Sequence, residues 1–120
     1  YFLYCEDGEY CLRAAEKGYP ITVSLRSRVF HTEGATTGKR SPLSQYYYQR
    51  NKLKMLLKYA KGSQKLNIIL YSGFRLLRSM IKGFVGSSER KHSAHIHWLA
   101  VTDYLKGVNG PCPHNLTPTQ

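Results

Sequence analysis

The sequence predicts an α/β segment followed by an extension of three helices. A helical pattern over Glu6–Lys17 precedes a run at Ile21–Leu25 in which apolar and polar residues alternate, as in a half-buried strand. Three further helical patterns occupy the chain from about residue 44 to residue 106. The 120 residues, 42% of them hydrophobic, suffice for one domain or part of one, and the composition excludes a wholly disordered chain.

The first predicted helix, Glu6–Lys17, begins with a cluster of carboxylates at Glu6, Asp7 and Glu9 and is followed by Gly18. Negative charge in a first turn is favourable to the helix dipole, so these residues could serve only that purpose. Adjacent carboxylates can also provide a general base, because each raises the pKa of the other. Asp7 is the better candidate for the base, since one carboxylate of such a pair must point outward.

The alternating run Ile21–Leu25 predicts a single strand, and an isolated strand leaves its backbone groups unpaired. We therefore expect partner strands in a part of the protein that precedes Tyr1. Residues 32–43 have the Gly, Pro, Ser and Thr content of a loop. His31 stands just before this loop, where a histidine can bind a metal or a phosphate or can be merely structural.

Three helices are predicted over Ser44–Lys61, Leu66–Val85 and roughly Arg90–Lys106, followed by a flexible tail at residues 111–120. The first of them carries the run Tyr46–Asn51, in which three tyrosines precede an arginine and an asparagine. Consecutive helical positions point about 100° apart, so the three rings cannot share one buried face. Arg50 could pair with a phosphate or with the acidic cluster, and core packing of the rings with Arg50 at the surface is an equal alternative.

The net charge of +11 lies almost entirely in the second part of the chain, since residues 41–120 alone carry +10. Leu66–Val85 is long enough to span a bilayer, but its Arg75, Arg78 and Lys82 make a span costly. An amphipathic helix at the surface of an anionic membrane, or a helix packed on its own domain, fits better. The charge also allows a small basic module that binds nucleic acid, although no recognised motif supports that alternative.

Two segments resemble family 2 glycosyltransferases, in particular the rhamnosyltransferase-like group. Residues 1–14 are similar to the family pattern F-x-Y-x-E-D-x-[DE]-[LYW]-x-x-R-A, which Lys17–Tyr19, the strand after it and Val29–His31 continue. Tyr46–Asn51 is similar to the family's Y-Y-x-x-R-N run. The two segments occur in the family's order and spacing, and the similarity covers about residues 1–61.

The resemblance implies a GT-A (Rossmann-like) domain whose C-terminal edge is residues 1–43, with residues 44–110 as a basic helical extension. It implies an inverting transfer from a nucleotide-sugar donor to a saccharide or lipid-linked acceptor, assisted by Mg²⁺ or Mn²⁺. Asp7 matches the catalytic base, Glu6 its acidic companion, and His31 a ligand of the metal or diphosphate. The residues expected to bind the acceptor or support the site are Glu9, Arg13, Tyr47 and Arg50.

The family's metal-binding D-x-D segment and any Gly-rich phosphate loop are missing from this sequence. We therefore expect the chain to be a fragment, inactive alone, of an enzyme of cell-surface polysaccharide synthesis. The three cysteines fit reduced thiols, as in a cytoplasmic protein. The expected location is the cytoplasm, with possible peripheral attachment to the inner face of the cell membrane.

Overall fold

The computed structural model describes Tyr1, residues 3–30 and residues 41–116. These parts contain four helices: α1 (Glu6–Glu16), α2 (Pro42–Tyr59), α3 (Ser63–Val85) and α4 (Ser88–Leu105). Each helix begins and ends within three residues of a helix that the sequence pattern predicts.

The predicted α/β fold, a C-terminal piece of a GT-A (Rossmann-like) domain, is wrong, whereas the division at residue 43 stays a prediction. The described ranges contain helices and irregular segments and no strand. Ile21–Leu25 has no regular structure, and the side chains of Val23 and Leu25 are 81% and 94% exposed. The physical reason is that alternation alone does not make a strand, which needs a neighbouring strand to pair its backbone groups.

Local residues explain where the helices begin and end. Ser41 is the N-cap of α2, since its side chain accepts a hydrogen bond from the Ser44 N–H at 3.1 Å, and Pro42 occupies the first turn. Gly18 ends α1 with a φ of 81°, a conformation that glycine adopts without a side-chain clash.

Helix α4 packs against both α2 and α3. The buried centre consists of Tyr46 and Tyr47 of α2 with Ile96 and Ala100 of α4. At Gly83 of α3 a Cβ atom would lie 2.9 Å from the Cβ of Ala94, so a glycine allows α3 to approach α4 closely. The segments outside the helices close the core with the partly buried side chains of Leu3, Tyr4, Cys112 and Leu116, and Leu43 in the first turn of α2 packs against it as well.

Helix α3 turns most of its apolar side chains outward. Eight of them are more than half exposed: Leu66, Ile69, Leu70, Phe74, Leu77, Ile81, Phe84 and Val85. We call this set the apolar face of α3. Of the helices that the structure describes, none has the length and apolar content needed to cross a membrane.

Candidate functional site

The acidic pair Glu6–Asp7 forms the exposed first turn of α1. One oxygen of Asp7, Oδ1, accepts a hydrogen bond from the Gly8 N–H at 2.8 Å. The neighbouring Cys5 thiol has a raised pKa, first because it is partly buried and then because Asp7 and Glu6 repel a thiolate. The pair therefore presents negative charge to solvent from a defined backbone position.

The backbone just before the acidic pair is strained. Tyr4 and Cys5 have φ angles of 63° and 67°, in the left-handed region that costs a residue with a side chain about 1 kcal/mol. Asn51 of α2 holds this turn, because its Nδ2 donates to the carbonyls of Leu3 and Tyr4. Two consecutive strained residues persist only where the surroundings fix them, and they cluster at functional sites.

Glu9 joins α1 to the end of α2. Its Oε1 accepts hydrogen bonds from Lys58 Nζ at 2.5 Å and from Tyr59 Oη at 2.6 Å, and Arg13 Nε lies 3.4 Å from Oε2. These contacts, that with Lys58 first, lower the pKa of Glu9 to about 2. The Glu9 carboxylate is therefore ionised and already bound on both oxygens.

Arg50 is buried, and its guanidinium donates in three directions. Nε donates to Asn51 Oδ1 at 3.2 Å, Nη1 to Tyr46 Oη at 3.2 Å and Nη2 to the Gly110 carbonyl at 2.8 Å. The same group lies over the rings of Tyr46 and Tyr47, about 5 Å from each centroid. Arg50 thus connects α2 to the segment after α4 and makes no recorded contact with the α1 carboxylates among the described residues.

Asp103 is a buried carboxylate that belongs to the same hydrogen-bond network as Arg50 and Tyr46. Its Oδ2 accepts from Tyr46 Oη at 2.5 Å and lies 2.8 Å from His114 Nε2, which donates because a carboxylate can only accept. The pKa of Tyr46 is raised well above its usual range, first by burial and then by the Asp103 carboxylate. Asp103 also balances the buried charge of Arg50 through the Tyr46 hydroxyl.

Tyr47, which the resemblance gives as an acceptor-binding or structural residue, is 2% exposed. Its hydroxyl accepts the Cys112 N–H at 2.7 Å and so fixes the segment after α4. Cys5, Cys11 and Cys112 are free thiols.

The structure brings the two motif segments into contact through Asn51, which binds the carbonyls of Leu3 and Tyr4. Glu9 joins the first segment to the end of α2, beyond the Tyr46–Asn51 run. The spacing of the sequence does not identify Asn51, Asp103, His114 and Lys58 as network residues. The bonds of Asn51 to the first turn, of Lys58 to Glu9 and of Asp103 to Tyr46 join positions 47 to 57 apart, and His114 enters through Asp103. One signal is present for Asp103, which is one of only two acidic residues after residue 40.

The predicted divalent cation rests on His31, which lies outside the described residues. Within those residues, no group of three or more His, Cys, Asp or Glu side chains is arranged to hold a metal ion. The role of Mg²⁺ or Mn²⁺ therefore stays a prediction, and no step below is assigned to a metal.

Comparisons with protein-family models, curated proteins and solved structures return no match for the chain. The glycosyltransferase interpretation consequently depends on the two quoted segments and on the contacts that join them.

Proposed function

We propose that this chain supplies the acceptor side of a glycosyltransferase site, with Asp7 as the general base. One observation carries the proposal: Asn51 binds the strained turn that precedes Glu6–Asp7. The Y-Y-x-x-R-N run and the E-D pair, the two segments of the resemblance, are thereby joined in one structure. Because Asn51 of the run fixes the turn that carries the acidic pair, we treat the run and the pair as parts of one site.

The geometry of Asp7 suits proton abstraction. Its Oδ1 is bound to the Gly8 N–H, and the carboxylate is exposed, so Oδ2 is available to an incoming sugar hydroxyl. In the proposed step the hydroxyl proton passes to Asp7 while the hydroxyl oxygen bonds to the anomeric carbon of the donor. The bond from that carbon to the nucleoside diphosphate breaks, and the diphosphate leaves with the electron pair.

The other acidic residues of α1 have supporting roles in this proposal. Glu6 adds a second negative charge beside Asp7, which stabilises the positive charge that develops on the donor sugar in the transition state. Glu9 fixes the direction of α1 through Lys58 and Tyr59. We assign the binding of the nucleotide-sugar to none of the described residues.

The test is sugar transfer by the protein carrying Asp7→Asn, with a panel of nucleotide-sugars as donors and release of the nucleoside diphosphate as the readout. We expect the rate to fall about 10²–10⁴-fold, the usual contribution of a general base. Donor binding, measured by calorimetry, should be unchanged. The matched control is Glu16→Gln, at an exposed carboxylate on the last turn of α1. Transfer by Asp7→Asn at the control rate would exclude Asp7 as the base.

A second candidate function is peripheral binding to an anionic membrane, which would place the protein at the cytoplasmic face. The observation that favours it is the outward apolar face of α3 on a chain of net charge +11. Exposed apolar patches of this extent on a soluble surface mark interaction sites. Insertion of the apolar face between lipid headgroups, with Lys and Arg attracted to anionic lipid, accounts for both features.

Co-sedimentation with phosphatidylglycerol vesicles tests this second function. The double variant Leu77→Gln/Ile81→Gln should lose most of the binding, because it removes apolar area from the centre of the α3 face. The control, Leu25→Gln/Val29→Gln, removes apolar side chains outside α3 that are even more exposed and should bind normally. Equal losses in the two variants would contradict a specific role of α3.

A further inference from the structure

A groove between α2, α3 and α4 is lined by cationic side chains from the side of α3 that faces the other helices. We call it the cationic groove. Its cavity measures about 220 Å³ and its polar lining consists mainly of Arg75, Arg78, Lys82, Gln45, Gln49 and His97. It does not include Glu6, Asp7 or any residue of the Tyr46–Asn51 run other than Gln49.

The three cations of the groove lie on one stripe of α3. Positions 75, 78 and 82 are separated by three and four residues, so their side chains project from the same face of the helix. Like charges at this spacing repel one another and destabilise a helix. None of the three forms an ion pair with a carboxylate of the described ranges, so their charge is uncompensated within that part of the protein.

The other walls of the groove provide hydrogen-bonding groups without negative charge. His97 of α4 is 8% exposed and makes no recorded hydrogen bond to a described residue. Burial, and after it the charge of Arg75, lowers the pKa of His97, which leaves a neutral ring with one N–H to donate. Gln45 and Gln49 bring two amides from α2, and Ser93 Oγ donates to Gln45 Oε1 at 3.1 Å.

We propose that the cationic groove binds a diphosphate group. Three cations spread over eight residues, about 10 Å of helix, can surround two linked phosphoryl groups more fully than a single phosphate. Guanidinium groups match phosphate oxygens in pairs, and neutral amide and imidazole donors can bind the remaining oxygens. The diphosphate could be free in solution or be the headgroup of a lipid diphosphate. The assignment does not depend on Asp7 or on the proposed transfer reaction.

Calorimetric titration of the chain with inorganic pyrophosphate tests the proposal. We expect one saturable site, with affinity at least tenfold lower in Arg78→Gln/Lys82→Gln, since each lost charge-assisted contact weakens binding about tenfold. The matched control is Lys65→Gln/Lys106→Gln, which removes the same charge at exposed lysines outside the groove lining. Its affinity should change less than twofold.

Folding of the groove variant is checked by circular dichroism. Because the substitutions remove repulsion between like charges, the variant should unfold at the same temperature as the wild type or above it. Absence of saturable pyrophosphate binding to the wild type would overturn the proposal. So would an equal loss of affinity in the groove and control variants, which would indicate a general effect of net charge.

Vesicles that contain a polyprenyl diphosphate in neutral lipid distinguish a lipid diphosphate from a free diphosphate as the ligand of the groove. If these vesicles bind the chain and excess pyrophosphate releases them, the groove takes a lipid diphosphate. If pyrophosphate binds and the vesicles do not, the groove takes a free diphosphate. Salt-sensitive binding to duplex DNA, together with no binding of pyrophosphate, would replace the proposal with a nucleic-acid surface.

Discussion

Tyr46, Tyr47 and Tyr48 are consecutive on α2 and lie in three different environments. Their side chains are 0%, 2% and 45% exposed. Replacing each by Phe removes one hydroxyl and leaves the ring in place, so the series compares the hydroxyl contacts without creating a large cavity. The network around Asp103 and Arg50 predicts three different losses of stability.

The largest loss is expected at Tyr46. Its hydroxyl donates to the Asp103 carboxylate at 2.5 Å and accepts from the Arg50 guanidinium at 3.2 Å. Hydrogen bonds to charged groups each contribute about 1.5–3 kcal/mol, and both partners here are buried. The two bonds are not additive, because Asp103 keeps His114 and Arg50 keeps two other acceptors. We therefore expect Tyr46→Phe to lower the free energy of unfolding by about 3 kcal/mol.

We expect smaller losses of stability at Tyr47 and Tyr48. The Tyr47 hydroxyl accepts one bond from an uncharged donor, the Cys112 N–H at 2.7 Å, which corresponds to about 1 kcal/mol. Tyr48 is largely exposed, and its recorded contact is a ring interaction with Lys52 that Phe retains. Its substitution should change stability by less than about 0.5 kcal/mol.

The assay is urea unfolding followed by circular dichroism at the helical band, with thermal unfolding as a second measurement. For a chain of this size about 1 kcal/mol shifts Tm by roughly 4 °C, so Tyr46→Phe should lower Tm by about 10 °C. Equal effects at the three positions, or the largest effect at Tyr48, would refute the buried network as the source of stability.

Three further predictions use the same unfolding assay. Asn51→Ala should lower the free energy of unfolding by about 2–4 kcal/mol, because it leaves the carbonyls of the strained turn and one Arg50 N–H without their partner. The control, Asn67→Ala at an exposed site of α3, should change it by less than about 0.7 kcal/mol. The pKa of Glu9 is lower in the folded protein, about 2 against 4.5, so its contribution to stability should be complete above about pH 5 and disappear as the pH falls toward 2. Glu9→Gln should remove that part of the pH dependence, and Glu16→Gln should retain it. Leu25→Gln should be neutral within about 0.5 kcal/mol, because the side chain is 94% exposed, and a larger loss would show that residues 21–25 are packed.

The positions of the helices could be predicted from the sequence because their limits depend on nearby residues. Ser41 and Pro42 start α2, and Gly18 and Gly86 follow the ends of α1 and α3. The strand at Ile21–Leu25 was not correctly predicted. Whether an alternating segment becomes a strand depends on a distant partner, and that information is not in the segment itself.

Periodicity also could not predict which face of α3 packs against the other helices. The spacing of Arg75, Arg78 and Lys82 shows that they share a face, and the apolar residues occupy another. It does not show which face meets the other helices. The usual expectation places the apolar face inward, whereas in this structure the cations line a groove within the bundle and the apolar face is exposed.

The sequence indicated the acidic pair and the Tyr46–Asn51 run as candidates but did not show that they touch. That contact depends on Asn51 reaching the carbonyls of Leu3 and Tyr4, almost 50 residues away. The burial of Tyr47 fits the core-packing alternative, but that alternative placed Arg50 at the surface, whereas Arg50 is buried. The structure places both in a network of hydrogen bonds to the segment after α4.

Chemical rescue measures the proposed role of Asp7 most directly. Asp7→Ala should abolish transfer from the nucleotide-sugar donor, and added formate should restore a rate that rises with formate concentration, because a small carboxylate can occupy the vacated position and accept the proton. Formate should have no effect on the Glu16→Gln control. An Asp7→Ala protein that transfers sugar at the wild-type rate without formate would contradict the assignment of Asp7 as the base.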